Sequence, residues 1–175
     1  MKTLKLLRHA KSDWHTPYED DKLRGLNNRG HRDIARIAPL LSNYFISSQS
    51  ILVSAAHRAQ LTIQGIADKR SPENKSPLTW TVEESLYTFS MTHLLSLLGN
   101  ISNDFNDICF VGHNPAFTEL INYLAMPSLD NFPTCGFIEI KLQIHSWQDI
   151  TEGCGKVSCY LTPKQIKKGQ CNDIH

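Results

Sequence analysis

Thr3-Leu4-Lys5-Leu6-Leu7-Arg8-His9-Ala10-Lys11-Ser12 (residues 3–12) is the stretch on which the fold turns. Its short apolar run, Thr3–Leu7, stops abruptly at a cation and an imidazole. A run of this length and density reads as a strand buried on both faces, as a parallel sheet covered by helices requires. Two later runs repeat the design: Ser50–Ser54, soon followed by His57-Arg58, and Asp107–Val111, followed by Gly112-His113-Asn114-Pro115. Between them, apolar residues recur at helical spacing over 30–45 (Ile34, Ile37, Leu40, Leu41, Tyr44), 58–67, 92–98 and 115–125. The last of these opens on proline, whose missing N–H costs nothing at a first helical position. Pro39, inside the first helix, predicts a kink or a break.

The alternation predicts an α/β fold, a three-layer α/β/α sandwich with a mostly parallel central sheet. Leu78–Val82 reads as a weaker strand, and Lys11–Asn28 as a polar loop long enough to suggest function. Gly136–Ile144 and Lys156–Leu161, on either side of Glu152-Gly153-Cys154-Gly155, read as a late antiparallel hairpin. Residues 1–162 are read as a single domain, and 163–175, with Lys164, Lys167 and Lys168, as a polar and loosely held tail.

At 175 residues the chain suits one domain, since a domain runs to about 100–200 residues. Hydrophobic residues make up 41% and charged residues 20%, which is ordinary globular usage and excludes disordered and fibrous classes. A formal net charge of +1 gives no global reason to expect nucleic acid or an anionic membrane as partner. No apolar run approaches the ~20 residues of a membrane span. Arg8, His9 and Lys11 cut the first apolar stretch too short for a signal peptide, so a cytoplasmic location is expected. The five cysteines, Cys109, Cys135, Cys154, Cys159 and Cys171, form no C-x-x-C pair and read as reduced thiols. No histidine spacing of a metal site occurs, and no cofactor is expected.

Ligands of open α/β sheets gather beyond the carboxyl ends of the strands. The strand order that makes the three runs neighbours therefore brings Arg8, His9, Arg58 and His113 together. Two permanent guanidinium charges and two imidazoles suit a tetrahedral dianion, which arginine grips with a planar fork. One histidine in such a setting serves either as general base or as a nucleophile that carries a phosphoryl group. Neither a P-loop nor a carboxylate cluster for two metals is present.

These residues carry a resemblance. Leu7-Arg8-His9-Ala10-Lys11-Ser12 resembles the R-H-G/A-x-S signature of the histidine phosphatase (phosphoglycerate mutase-like) superfamily. Its spelling, with Trp14 following, is similar to the small SixA-like branch. Leu26-Asn27-Asn28-Arg29-Gly30 resembles that branch's L-N-x-R-G, residues 54–62 resemble S-x-A-x-R-A-x-Q-T, and Val111–Pro115 resembles V-G-H-N-P. The motifs occur in the expected order over roughly residues 3–140. The resemblance implies that His9 is the phosphorylated nucleophile, with Arg8, Arg58 and His113 binding phosphate and stabilising the transition state. It places Ser12 in the phosphate-pocket loop and Asn114 as a supporting contact. The family's carboxylate acid, often three residues before a tyrosine, has its counterpart in Glu84 of Glu84-Ser85-Leu86-Tyr87, with Glu83 adjacent. His15 stands where many members have asparagine, and Gly25 where proline is common. His57 reads as structural.

The expected function is a metal-independent phosphatase acting on phosphohistidine in a protein. The length between Arg58 and His113 leaves little for a lid, and an open site suits a phosphorylated protein loop. The alternatives are a phosphatase for a small ester such as a sugar phosphate or nucleotide, and a non-catalytic phosphoprotein-binding module.

Overall fold

A computed structural model describes residues 1–15, 17, 20–46, 50–69, 77–126 and 128–167; among helical residues, the side chains of 42, 43 and 46 are not described. Strand β1 (Lys2–Arg8) is followed by helix α1 (Asn28–Ile46), β2 (Ser50–Ser54), α2 (His57–Asp68) and the short β3 (Thr81–Glu83). Then come α3 (Met91–Gly99), β4 (Asp107–Gly112), α4 (Ala116–Leu124), β5 (Phe137–Leu142), β6 (Gly155–Leu161) and α5 (Pro163–Lys167). The six strands form one sheet in the order β3-β2-β4-β1-β5-β6.

The α/β class holds, but the sheet is mixed rather than mostly parallel. Strands β1 to β4 pair parallel, whereas β5 runs antiparallel to β1 and β6 antiparallel to β5. The reason is where the chain re-enters after α4: β5 starts at the carboxyl end of β1, with Phe137 opposite Leu7, so it runs back against β1 and the hairpin carries β6 alongside it. Its connection is also longer than a tight turn: residues 143–154 make an excursion containing a 3-10 turn at Trp147–Asp149 before Gly153 (φ +70°) brings the chain back.

Side-chain alternation along β1 divides the core. Leu4 and Leu6 face α3 and α4 with Phe110, Ile138, Phe117 and Leu120. Leu7 faces α1 and α2 with Ile34, Ile37, Ile63, Val111 and Phe137. Each such side chain contributes roughly 1.5–3 kcal/mol when fully buried, so the two layers supply most of the driving force. This burial explains why α1 runs on through Pro39 instead of breaking there. Ile34, Ile37, Ala38, Leu41 and Phe45 are all buried along it, and packing outweighs one missing backbone bond. Pro115 likewise sits one place earlier than expected, as the residue preceding α4. The polar end expected to be loosely held from Pro163 begins as α5, with Pro163 buried and Ile166 packed on the α1–α2 side of the core. Residues 168–175 and 70–76 lie outside the described residues, as does Cys171; Cys109, Cys135, Cys154 and Cys159 are free thiols.

Not every buried residue is apolar. Lys5, fully buried on the α1 face of β1, donates to Asp107 Oδ2 (2.8 Å) and to the carbonyl of Tyr44 (2.7 Å), with Glu139 Oε2 at 3.8 Å. It ties β1 to both neighbouring strands and to the C-terminal half of α1. Removing one member of a buried ion pair leaves the other charge desolvated. Lys5→Ala is therefore expected to lower the unfolding free energy by about 3 kcal/mol, measured by urea denaturation at neutral pH. A loss below about 1 kcal/mol, the worth of a surface pair, would contradict that role.

Candidate active site

The carboxyl end of β1 carries Arg8 and His9 into the crevice between β4 and β5. Three backbone ties hold the turn there: His9 N–H donates to Gly112 O (3.1 Å), Arg8 N–H to Gly136 O (3.0 Å), and Cys135 N–H to the carbonyls of Arg8 and His9 (3.1 Å each). Cys135 makes its bonds from a left-handed backbone (φ 57°), a conformation uncommon for a non-glycine residue and often found at functional sites. The next residues are clamped by the L-N-x-R-G segment. Asn27 N–H donates to Lys11 O, its side chain to Ser12 O, and Ser12 bridges to Leu26. Gly30 is needed because a Cβ there would lie 2.5 Å from the Lys11 carbonyl oxygen.

From α2, the Thr62 hydroxyl accepts from Ala10 N–H (2.9 Å) and donates to Arg58 O (2.6 Å), locking the β1 loop onto the helix that carries Arg58. The glutamine of the motif is Leu61 here; Gln60 beside it bonds the Ala55 carbonyl instead. From β4, Gly112 passes His113 into the site, and a Cβ at Gly112 would meet the Phe117 ring at 2.8 Å. The His9 and His113 rings lie 5.1 Å apart, and the charges of Arg8 and Arg58 act on both. The four residues singled out by their strand-end positions thus converge.

Their chemistry follows from burial. His9 is 8% exposed and its pKa falls to about 3, chiefly through desolvation and further through the charges of Arg58, Arg8 and Lys11. His113, 1% exposed, falls to about 2 for the same first reason, reinforced by His9, Arg58 and Arg8. Both imidazoles are neutral at physiological pH. His9 Nδ1 lies 2.8 Å from the Ala10 carbonyl, which only accepts, so Nδ1 carries the hydrogen and Nε2 the lone pair. His113 Nε2 lies 2.7 Å from Ser54 Oγ, which also accepts from Ala56 N–H. Ser54 Oγ keeps both its proton and a second lone pair for that contact, so His113 carries its hydrogen on Nε2 when it donates to the serine and on Nδ1 when it accepts from it. His113 Nδ1 and Arg8 Nε, the latter always a donor, are both buried without a partner.

Arg8 is aimed by the Phe132 carbonyl (2.6 Å) and Asn131 Oδ1 (3.4 Å). Asn114 donates to the same two acceptors at 2.9 Å each, which leaves it only an acceptor oxygen, Oδ1, without a partner. Ser12 is buried in the β1 loop. Glu84 is 74% exposed and ion-paired with Lys22, whose ammonium lies over the Tyr87 ring. Glu83 instead caps its own turn by accepting from Ser85, which holds its carboxyl below the usual range. His15 is exposed, with its backbone N–H on Asp13, and His57 Nδ1 meets the Leu23 carbonyl (3.2 Å).

Sequence reasoning missed two residues at the site. Asp21, in a 3-10 turn at Asp21–Leu23, accepts from Arg58 Nη2 (2.9 Å) through Oδ2, while its carbonyl accepts from Arg58 Nη1 (2.7 Å). Tyr87 donates to the same Oδ2 (2.9 Å), places its ring 5.9 Å from the Arg58 guanidinium, and sets its edge against His113 (5.5 Å). Tyr87 was visible only as the marker of the Glu84 spacing, and nothing in the sequence pattern distinguished Asp21 from its loop neighbours. Among the described residues, no three His, Cys, Asp or Glu side chains are grouped to hold a metal ion.

The comparisons fit this geometry. No protein-family model matches the chain. Over 151 residues it is 26% identical to an uncharacterized chloroplastic protein of Arabidopsis thaliana, an alignment covering 82% of this chain and 68% of that one. The structure of a candidate phosphohistidine phosphatase SixA from Agrobacterium tumefaciens superposes at a TM-score of 0.72 and 25% identity, covering 93% of this chain and 98% of that one. The chain belongs to the histidine phosphatase superfamily. Within it the likeness is to the SixA branch: the protein histidine phosphatase SixA complexed with tungstate also superposes at 0.72, with 18% identity, 94% coverage of this chain and 99% of that one.

The buried neutral rings make acid stability a readout of the site. Below an unfolded pKa of about 6.5 the unfolded chain binds protons that the folded chain refuses. The stability the two rings contribute is therefore full above that pH and falls as pH drops toward their folded values of about 3 and 2. Each ring adds a slope of up to about 1.4 kcal/mol per pH unit in that window. His113→Gln is expected to flatten the decline in urea stability between about pH 6.5 and pH 4.5. Identical slopes in variant and parent would contradict neutral burial.

Proposed function

We propose that the chain is a phosphatase that works without a metal, moving the phosphoryl group of a protein phosphohistidine onto His9 and then to water. The observation that carries the reading is His9 itself. Its ring is neutral, oriented through Nδ1–H, and presents a lone pair at Nε2 beside two arginines and two buried, unpartnered nitrogens, Arg8 Nε and His113 Nδ1. Nε2 attacks phosphorus, the phosphorus–nitrogen bond to the substrate breaks, and the departing imidazole takes the bonding electron pair and a proton from solvent, which the later attack of water gives back. Water then attacks the phosphorylated His9, releasing phosphate and restoring the ring. Arg8, Arg58 and His113 hold the phosphoryl oxygens as charge shifts onto them, the largest contribution in such sites. Ser12 closes the phosphate-pocket loop. Asn114 acts as a positioning residue, because it fixes the two acceptors that aim Arg8.

A protein substrate is favoured by the rim. Trp14, Leu23 and Phe89 are exposed at 69%, 59% and 47%. Phe89 stacks beside His113, and Trp14 lies under Arg24, which pairs with Asp21. Exposed apolar groups around a polar centre suit contact with another protein surface. The likeness to the SixA structures, one a protein histidine phosphatase and one a candidate phosphohistidine phosphatase, adds support.

Brief incubation with a chemically phosphorylated histidine-containing carrier protein, followed by alkaline quenching, should trap acid-labile phosphate on the chain. His9→Ala should carry none and turn over nothing. Phosphate bound without a covalent adduct or turnover would instead indicate a binding module, and rapid turnover of sugar phosphates alone would indicate the small-ester reading.

Glu84 gives a second test, because imidazole leaves more readily than an alkoxide and has less need of an acid. Glu84→Gln is expected to slow phosphohistidine hydrolysis less than about threefold, while slowing any alkyl phosphate by about 10²-fold. Equal losses on both substrates would overturn that assignment.

A further inference from the structure

Beside the active site, at the same edge of the sheet, lies a half-open cavity of about 680 Å³ between the first half of α1, residues 131–134 and α5. None of Arg8, His9, Arg58 or His113 lines it. Its walls carry Arg29, Arg32, Arg36, Lys164 and Lys167 against one carboxylate, Asp33. Asp33 is buried and engaged by Arg36 Nη1 (3.0 Å) and Arg29 Nε (3.4 Å), so it neutralises part of the charge and stiffens that wall. Arg32, Lys164 and Lys167 are exposed and have no carboxylate partner among the described residues. In a chain whose net charge is only +1, this is a local excess of cations.

Asn131 joins the groove to the catalytic centre. It lines the groove, and its Oδ1 accepts from Arg8 Nη1 (3.4 Å) and Asn114 Nδ2 (2.9 Å). A segment lying in the groove therefore ends next to the group that grips the phosphoryl oxygens. The unpaired cations sit at the tips of long, exposed side chains, unlike the buried and pre-aimed donors around His9. That arrangement steers and holds a mobile acidic surface and does not form a tight cage for one phosphate. At nearly neutral overall charge, the field is local, within about one Debye length of 8–10 Å.

We infer that this groove is a docking subsite for an acidic segment of the protein substrate, lying beside its phosphohistidine. The inference rests on the proposed phosphatase reading for its catalytic half, while the binding half stands on the groove alone. The probes are a phosphohistidine decapeptide bearing several Asp and Glu residues, its Asn/Gln counterpart, the unphosphorylated acidic peptide, and p-nitrophenyl phosphate. The variant is the triple charge reversal Arg32→Glu, Lys164→Glu and Lys167→Glu.

Calorimetry at low salt should show the unphosphorylated acidic peptide binding the variant about tenfold more weakly than the parent. Peptide-induced NMR shifts in the parent should fall on residues 32, 164 and 167. In turnover, the variant should show KM for the acidic phosphopeptide raised about tenfold with kcat held, and no change on the neutral peptide or on p-nitrophenyl phosphate. Equal binding of the acidic peptide by both proteins overturns the docking inference, even if both hydrolyse phosphohistidine. Binding that depends on the three cations with no phosphohistidine turnover in the parent leaves the groove assigned and overturns the phosphatase reading.

Discussion

The end of β1 is the point from which the rest of the site is built. In the proposed reaction His9 is a nucleophile that must be held to a fraction of an ångström, and the holding is done by backbone on three sides: Gly112 of β4, Gly136 with Cys135 before β5, and the Asn27 turn below. Each tie needs a residue that can be there. Gly30 and Gly112 have no room for a Cβ, and Cys135 takes a left-handed conformation to deliver its N–H. The sheet order serves the same end, since β1 lies between β4, which brings His113, and β5, whose antiparallel entry closes the crevice. The Thr62 hydroxyl then couples this loop to α2 and so to Arg58.

Electrostatics gives the constellation its chemistry. Desolvation alone would disfavour any charge at the sheet edge, yet the site holds two arginines there; burial even pulls their pKa values down from the usual range. The two imidazoles answer by staying neutral. A neutral imidazole is a nucleophile and a protonated one is not, so in the proposed reaction burial, reinforced by the charges of Arg58 and Arg8, keeps His9 ready to attack. Asp21 completes the balance by occupying both Arg58 Nη groups in the free chain, where it holds the fork in place. Tyr87 braces that carboxylate from the opposite side.

Much of this was legible from the sequence, because strand-end chemistry follows the sheet. The apolar runs 3–7, 50–54 and 107–111 marked the strands, and the cationic residues after them proved to converge. Lys5 was hidden within its run: period-2 burial gives no hint that a lysine at the centre meets Asp107 and Glu139 from two other strands. A mostly parallel sheet is what the sequence suggests because α4 stands between β4 and β5 as a crossover helix would, and only the tertiary placement of β5 at the carboxyl end of β1 reverses it. The continuity of α1 through Pro39 was likewise invisible, since it is decided by what the helix buries. Asp21 and the left-handed Cys135 act through tertiary placement, for which no local spacing exists. Gly30 and Thr62 were visible as motif letters, and the structure supplies their reasons.

The central claim is that His9 attacks through Nε2 because its Nδ1–H is fixed on the Ala10 carbonyl. The most direct measurement is NMR of the phosphorylated chain with 15N-labelled histidine, in which the 31P–15N coupling identifies the bonded nitrogen. The account predicts phosphorus on Nε2 of His9, with Nδ1 still protonated. Phosphorus on Nδ1, or on any other histidine, would contradict it.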